Sequence, residues 1–335
     1  MPAAARPARS MSSQPGVPLS IVTASTRRTV AVSVTYTFAS SRPRGPDRIG
    51  SIRASIRVSG YSLGMTTPPD RADLFSLRTP GQILAIGMGA VASSYLVAML
   101  VTAAVDGAPV HVVSIGANVA GMIALPLLYL SRQGVGVGET LRAVPLPLPQ
   151  VLWLLGITIA IVPAVLALAT WNQELYPPPP EYLDAVERSI PTSGGEWVLA
   201  ILSVVVIGPL AEEIVFRGMV QQAARTAAGR IAGILFTGIV FAIWHGQVWN
   251  LASLILVGLF LGLVFEATGS LLAPLVLHSA YNLTILLIYA HGTTLPDLDP
   301  DVAAFGAVCA LAVGWAAYGR LRCASPWKDP PREDD

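Results

Sequence analysis

Eight apolar runs, each near the ~20 residues that a helix needs to cross the hydrocarbon core of a bilayer, dominate the chain after residue 80. They cover residues 82–104, 111–131, 150–171, 197–220, 230–248, 250–267, 270–290 and 302–319. Backbone that crosses lipid must satisfy its own hydrogen bonds, which restricts it to helices or closed barrels. Runs of this length predict helices. The expected fold class is an all-α polytopic membrane protein of about eight spans around an intramembrane cavity. The fifth and sixth runs nearly merge at 246–250, so seven spans is the alternative count. Only 12% of the 335 residues are charged, against about 25% in soluble domains. A net charge of +1 offers no basic footprint for nucleic acid. The two cysteines, Cys309 and Cys323, build no disulfide framework.

The chain divides into three parts by composition. Residues 1–80 hold eleven Arg but three Asp, with many Ser and Pro, and carry no long apolar run. Such a composition predicts disorder, with a transit peptide as one reading. In another, the native chain begins at Met65, just ahead of the first span, and residues 1–64 are not native. Residues 81–320 are the eight-span unit, with a motif core at 195–290, and 321–335 form a polar tail. With both termini inside, nine of the ten basic residues after residue 80 fall on inside loops or tails, and only Arg188 falls outside. That bias is the positive-inside pattern, so both termini and the tail are expected in the cytoplasm. Lys328 is the only lysine, which points to a GC-rich genome and a bacterial plasma membrane. The outside loop 172–196 contains Pro177–Pro180, a stiff extended stretch expected to act as spacer or lid.

Against this apolar background, two adjacent acids stand out within the fourth run, Glu212 and Glu213. A charge at mid-membrane depth costs a few kcal/mol, about 3 on insertion scales, and normally marks a function. Glu213 and Arg217 are four residues apart on one helix face, in the favourable acid-first order. Glu212 points about 100° away and is left free to serve as a base. The fifth run carries Phe241 and His245 four apart, an aromatic placed to shield an imidazole. The seventh carries His278 and Asn282, again four apart. Taken singly, each pair is compatible with plain helix packing. A turn near Ala228–Gly229 puts Glu212 and His245 at equal heights, about 24 Å from it, and His278 enters from the same side at a similar depth. Gly208–Pro209 is expected to loosen the fourth helix beside the acids. Glu266 reads as a solvated acid at the inner edge of the sixth span. His111 and His291 read as interfacial.

The three motifs, in this order, resemble the CPBP family of intramembrane proteases, named for CAAX-processing and bacteriocin-processing enzymes and including Abi-like proteins. The layout is similar to its type II CAAX prenyl endopeptidase branch. The resemblance implies a peptidase in which Glu212 and His245 activate water, while His278 and Asn282 stabilise the oxyanion. Glu213, Arg217 and Phe241 support the site. It also implies a membrane-embedded or lipid-associated peptide as substrate. A metal-free reaction is the favoured reading. The family's metalloprotease label leaves a competing one, Zn²⁺ held by His245, His278 and Glu212, a two-His, one-carboxylate set. A non-catalytic immunity or scaffold protein is the alternative outside enzymes. A proton-coupled transporter is a third, disfavoured because no internal repeat is evident.

Overall fold

The computed structural model describes residues 78–291, the backbone of three strands before them, and the helical positions 308, 312 and 315. The chain divides into two units, Met1–Asp70 and Arg71–Asp335. In the first, β1 (Ser20–Thr26), β2 (Thr29–Phe38) and β3 (Gly50–Ile56) form an antiparallel sheet in the order β1-β2-β3. Val34 pairs with both Ile21 and Ala54, which fixes the register. Disorder was expected throughout residues 1–80, and over these three segments the structure differs. The reason lies in β2. Val30, Val32, Val34, Tyr36 and Phe38 alternate with small or hydroxyl residues, which is the period of a strand, and overall composition hides that period.

In the second unit, residues 78–291 form helices joined by short turns and loops. Six helices among the described residues are long and apolar enough to cross a membrane. They are α1 (Pro80–Ala104), α2 (Val110–Arg132), α4 (Leu148–Leu175), α6 (Gly194–Ala228), α8 (Val248–Thr268, opening with one 3₁₀ turn) and α9 (Leu272–Ala290). Between them lie the single turn α3 (Val137–Thr140), α5 (Pro180–Ser189) and α7 (Arg230–Trp244). Seven of the eight expected runs thus appear as helices, with the fifth, α7, only 15 residues long. At 1.5 Å per residue, α7 reaches about 22 Å, short of the ~30 Å hydrocarbon core. The eighth run, 302–319, lies largely outside the described residues, so the count of eight is not established. Outward-facing Leu96, Met99, Leu152, Ile159, Ile231 and Ile243 are exposed, as lipid-facing side chains would be.

Local chemistry sets the helix ends. Thr79 caps α1 in a reciprocal box with Gln82, and Ser193 caps α6 in the same way with Glu196; each box satisfies two otherwise orphaned N–H groups. The α6–α7 turn falls at Gly229, whose φ of +86° favours glycine. Close helix crossings need small residues. A Cβ on Gly258 would lie 2.9 Å from the Gly238 carbonyl oxygen, so α7 and α8 touch backbone to backbone there. The 172–196 loop is more ordered than a bare spacer, because α5 follows the prolines. Tyr182 of α5 packs its ring on Trp249 at 4.8 Å and donates its hydroxyl to Gln247.

The core sits where α6 meets its neighbours, with Phe216, Phe241, Leu261 and Leu277 fully or almost fully buried. One buried polar cluster departs from expectation. Glu266 is 3% exposed rather than solvated. Its Oε2 lies 3.3 Å from both Arg225 Nε and Arg230 Nε. The two arginines flank the α6–α7 turn and fold over the end of α8. Helical periodicity cannot show this, because it depends on which turn lies above which helix end.

Candidate active site

Helix α6 is not uniform. Ile201–Ile207 and Phe216–Gln221 are π-helical, and the α-helical stretch between them, Gly208–Val215, carries both acids. Pro209 explains the first departure, since it has no N–H to donate. The Gly208 N–H reaches five residues back, to the Ser203 carbonyl. The expected loosening is therefore a defined π-bulge, a feature that recurs at functional sites.

Glu213 and Arg217 form the ion pair that their spacing predicts, with Nη1 to Oε1 at 2.9 Å and both side chains fully buried. Arg217 does more than pair. Its Nη2 donates to the Gly258 carbonyl of α8 at 3.1 Å, and its guanidinium lies 4.8 Å from the centre of the Phe241 ring. One cation thus ties α6 to α7 and α8. Glu213 does more as well, since its Oε1 lies 2.8 Å from His278 Nδ1 on α9. Spacing alone gives the Glu213–Arg217 contact. The Glu213–His278 contact joins residues 65 apart, and no local pattern encodes it.

The other nitrogen of His278, Nε2, lies 3.7 Å from Glu212 Oε2, beyond a direct hydrogen bond. Glu212 is the accessible member of the acid pair, with a side chain 19% exposed against 0% for Glu213. His278 therefore stands between a fully buried carboxylate that orients its ring and a second carboxylate that is partly exposed. With Nδ1–H donated to Glu213, Nε2 faces Glu212 as a proton acceptor. A protonated imidazole would donate on both sides.

His245 follows the last residue of α7. Its Nδ1 lies 2.7 Å from the Phe241 carbonyl, which makes Nδ1 the donor and leaves Nε2 to face outward. The Phe241 ring lies 4.7 Å from the His245 ring, 5.8 Å from His278 and 5.3 Å from Phe216. Phe241 therefore links the two imidazoles. The chain turns at Gly246 with φ +65°, and Asn172 from the end of α4 satisfies backbone groups beyond. Asn172 donates to the Val248 carbonyl and accepts from the Ala252 N–H, and Gln173 donates to Asn250. Non-helical backbone at membrane depth is tolerated where protein buries it in this way.

Asn282 lies one turn beyond His278 on α9. Its Nδ2 donates to the Val204 carbonyl of α6 at 2.9 Å, so at least one amide N–H serves helix docking. Sequence reasoning passed over Tyr95. Its hydroxyl donates to the Trp244 carbonyl at 3.0 Å, and it lies within electrostatic reach of Glu212. A tyrosine in an apolar run carries no signal that would have singled it out. Among the described residues, no three His, Cys, Asp or Glu side chains converge as the ligands of a metal would. Glu212, His245 and His278 are not such a group, and no step is derived through a metal.

Comparison with known proteins bears on this same region. Residues 194–284 match the family model described as type II CAAX prenyl endopeptidase Rce1-like. That segment holds both acids, Arg217, Phe241, both histidines and Asn282. The expected resemblance to the CPBP proteases is shown. An uncharacterized 24.3 kDa protein of Escherichia coli is 34% identical over 97 residues, 28% of this chain and 43% of that protein. The chain thus spans less than half the length of that relative. No solved structure matches the chain. The match covers the segment that carries both acids and leaves the rest of the chain outside it.

Proposed function

We propose that the protein is an intramembrane endopeptidase that hydrolyses a peptide bond of a membrane-embedded or lipid-associated substrate. The observation that supports this reading is the Arg217–Glu213–His278–Glu212 sequence of contacts inside an apolar bundle. Such a row of buried charges is costly unless it has work to do. Its two ends differ in kind. Arg217 and Glu213 are fully buried and paired with each other, whereas the Glu212 side chain is partly exposed.

In this reading Glu212, assisted by His245, takes a proton from a water molecule, and the resulting hydroxide attacks the scissile carbonyl carbon. His278, in its doubly protonated form, keeps Nδ1–H on Glu213 and donates from Nε2 to the developing oxyanion. One such donor contributes about 3 kcal/mol of transition-state stabilisation. Collapse of the tetrahedral intermediate breaks the C–N bond. The proton held by Glu212 passes to the leaving nitrogen, so water is consumed and one carboxylate and one amine are released. Glu213 and Arg217 are positioning residues, because they hold the His278 ring and touch no reacting atom. No metal is required. The expected topology places both termini in the cytoplasm of a bacterial cell and opens the site to the same side.

Terminal proteomics of membranes from cells that express the wild type or Glu212→Gln tests this reading. The proposal expects precursors to accumulate uncut in the variant while the protein remains inserted at normal levels. Identical sets of protein termini in the two membranes would refute it. A transporter is not favoured, since the sequence carries no evident internal repeat.

A further inference from the structure

A carbonyl group, that of Val204, lies beside the gap that Pro209 opens in α6. In a regular helix the Val204 carbonyl would accept from the N–H of residue 208, and in a π-helix from that of residue 209. The Gly208 N–H is committed to Ser203, and Pro209 has no N–H. The Val204 carbonyl therefore has no donor within α6 in either register. An unsatisfied carbonyl in an apolar bundle is costly. The donor it does have comes from α9, the Asn282 Nδ2–H at 2.9 Å.

We propose that Asn282 is a positioning residue that stands in for the N–H Pro209 lacks, and thereby holds α9 at the height where His278 meets Glu213. His278 and Asn282 are four residues apart on one face of α9. The helix thus touches α6 at two points one turn apart, His278 on the acids and Asn282 on the bulge. Losing the second contact frees α9 to slide or roll against α6. The 2.8 Å contact of His278 Nδ1 with Glu213 and the 3.7 Å approach of Nε2 to Glu212 would both change. Pro209 and Asn282 then form a functional pair although 73 residues separate them in the sequence. Their coupling differs from a direct role of Asn282 at the substrate carbonyl, and it rests on the proposed peptidase reading only for its catalytic consequence.

A double-mutant cycle on the full chain tests the pair. Pro209→Ala restores an N–H, so the Val204 carbonyl gains a donor from its own helix. Asn282→Leu removes the amide and keeps the volume, which separates donor loss from cavity formation. In the wild-type background, Asn282→Leu should lower the folding equilibrium constant in detergent at least about fivefold, the low end for stranding a buried polar group. In the Pro209→Ala background the same change should cost less than about twofold. With the precursor that accumulates in Glu212→Gln membranes as substrate, kcat per folded molecule should fall in Asn282→Leu with KM unchanged. It should recover in the double variant. Equal losses of stability in both backgrounds would overturn the pairing, and so would a kcat defect that Pro209→Ala fails to relieve. An unchanged kcat per folded molecule would reduce Asn282 to a structural residue and overturn the positioning role. Should the wild type cleave nothing, the peptidase reading fails, while the stability cycle still decides whether Asn282 answers Pro209.

Discussion

Arg217→Met is the sharpest perturbation of the buried polar row. The side chain is fully buried and so is its partner Glu213, so solvent screening offers no discount. The substitution keeps an unbranched side chain but deletes three interactions, namely the 2.9 Å ion pair, the 3.1 Å donation to Gly258 and the contact with the Phe241 face. Stranding one charge of a buried pair costs about 3–5 kcal/mol. A hydrogen bond from a charged group contributes about 1.5–3 kcal/mol, and the ring contact about 1. These overlap, since one cation makes all three, and a total of about 4 kcal/mol is expected, roughly a thousandfold in the folding equilibrium. The double variant Glu213→Gln/Arg217→Met removes the stranded charge while Gln can still accept from His278. It should recover about 2 kcal/mol. Equilibrium unfolding in mixed micelles reads both values. An Arg217→Met protein within about 1 kcal/mol of wild type, or a double variant less stable than the single, would refute the view that Arg217 is there chiefly to neutralise Glu213.

Further expectations follow from the same geometry. Gly258→Ala drives a Cβ to 2.9 Å from the Gly238 carbonyl oxygen; thermal unfolding should show a loss of about 1–3 kcal/mol, as for other overpacked sites, and an unchanged midpoint would contradict the crossing. Arg225→Gln or Arg230→Gln alone should cost about 1 kcal/mol, because the other arginine still faces Glu266. The two together should cost about 3, as for a stranded buried acid, and simple additivity would contradict the shared pairing. Chelation should leave peptidase activity intact. Stoichiometric zinc in the purified protein, with activity lost on its removal and restored on its return, would reverse the metal-free proposal.

Hydropathy and motif spacing made much of the bundle legible. Run lengths located seven of the helices, because burial in lipid demands long apolar segments whatever their neighbours. Residues four apart on one helix gave the Glu213–Arg217 pair and the Phe241–His245 ring contact, since both depend only on helical geometry. The Gly229 turn and the loosening at Gly208–Pro209 were readable for the same reason. Long-range contacts were not. Glu213 holds His278, Asn282 reaches Val204, and Glu266 is enclosed by Arg225 and Arg230, each through packing between helices that no local pattern records. The strands β1–β3 were missed for a different reason, because arginine and serine content masked the alternation in β2. The early end of α7 at Trp244 also escaped notice, since the partner of the broken backbone, Asn172, comes from another helix.

The central claim, hydrolysis by a water that Glu212 activates, is open to direct measurement. Purified protein would be incubated with an accumulated precursor in water enriched in heavy oxygen, and the fragments weighed. The account predicts one heavy oxygen atom in the newly formed carboxylate and no fragments at all from Glu212→Gln. Fragments without the label, or cleavage by Glu212→Gln at the wild-type rate, would contradict it.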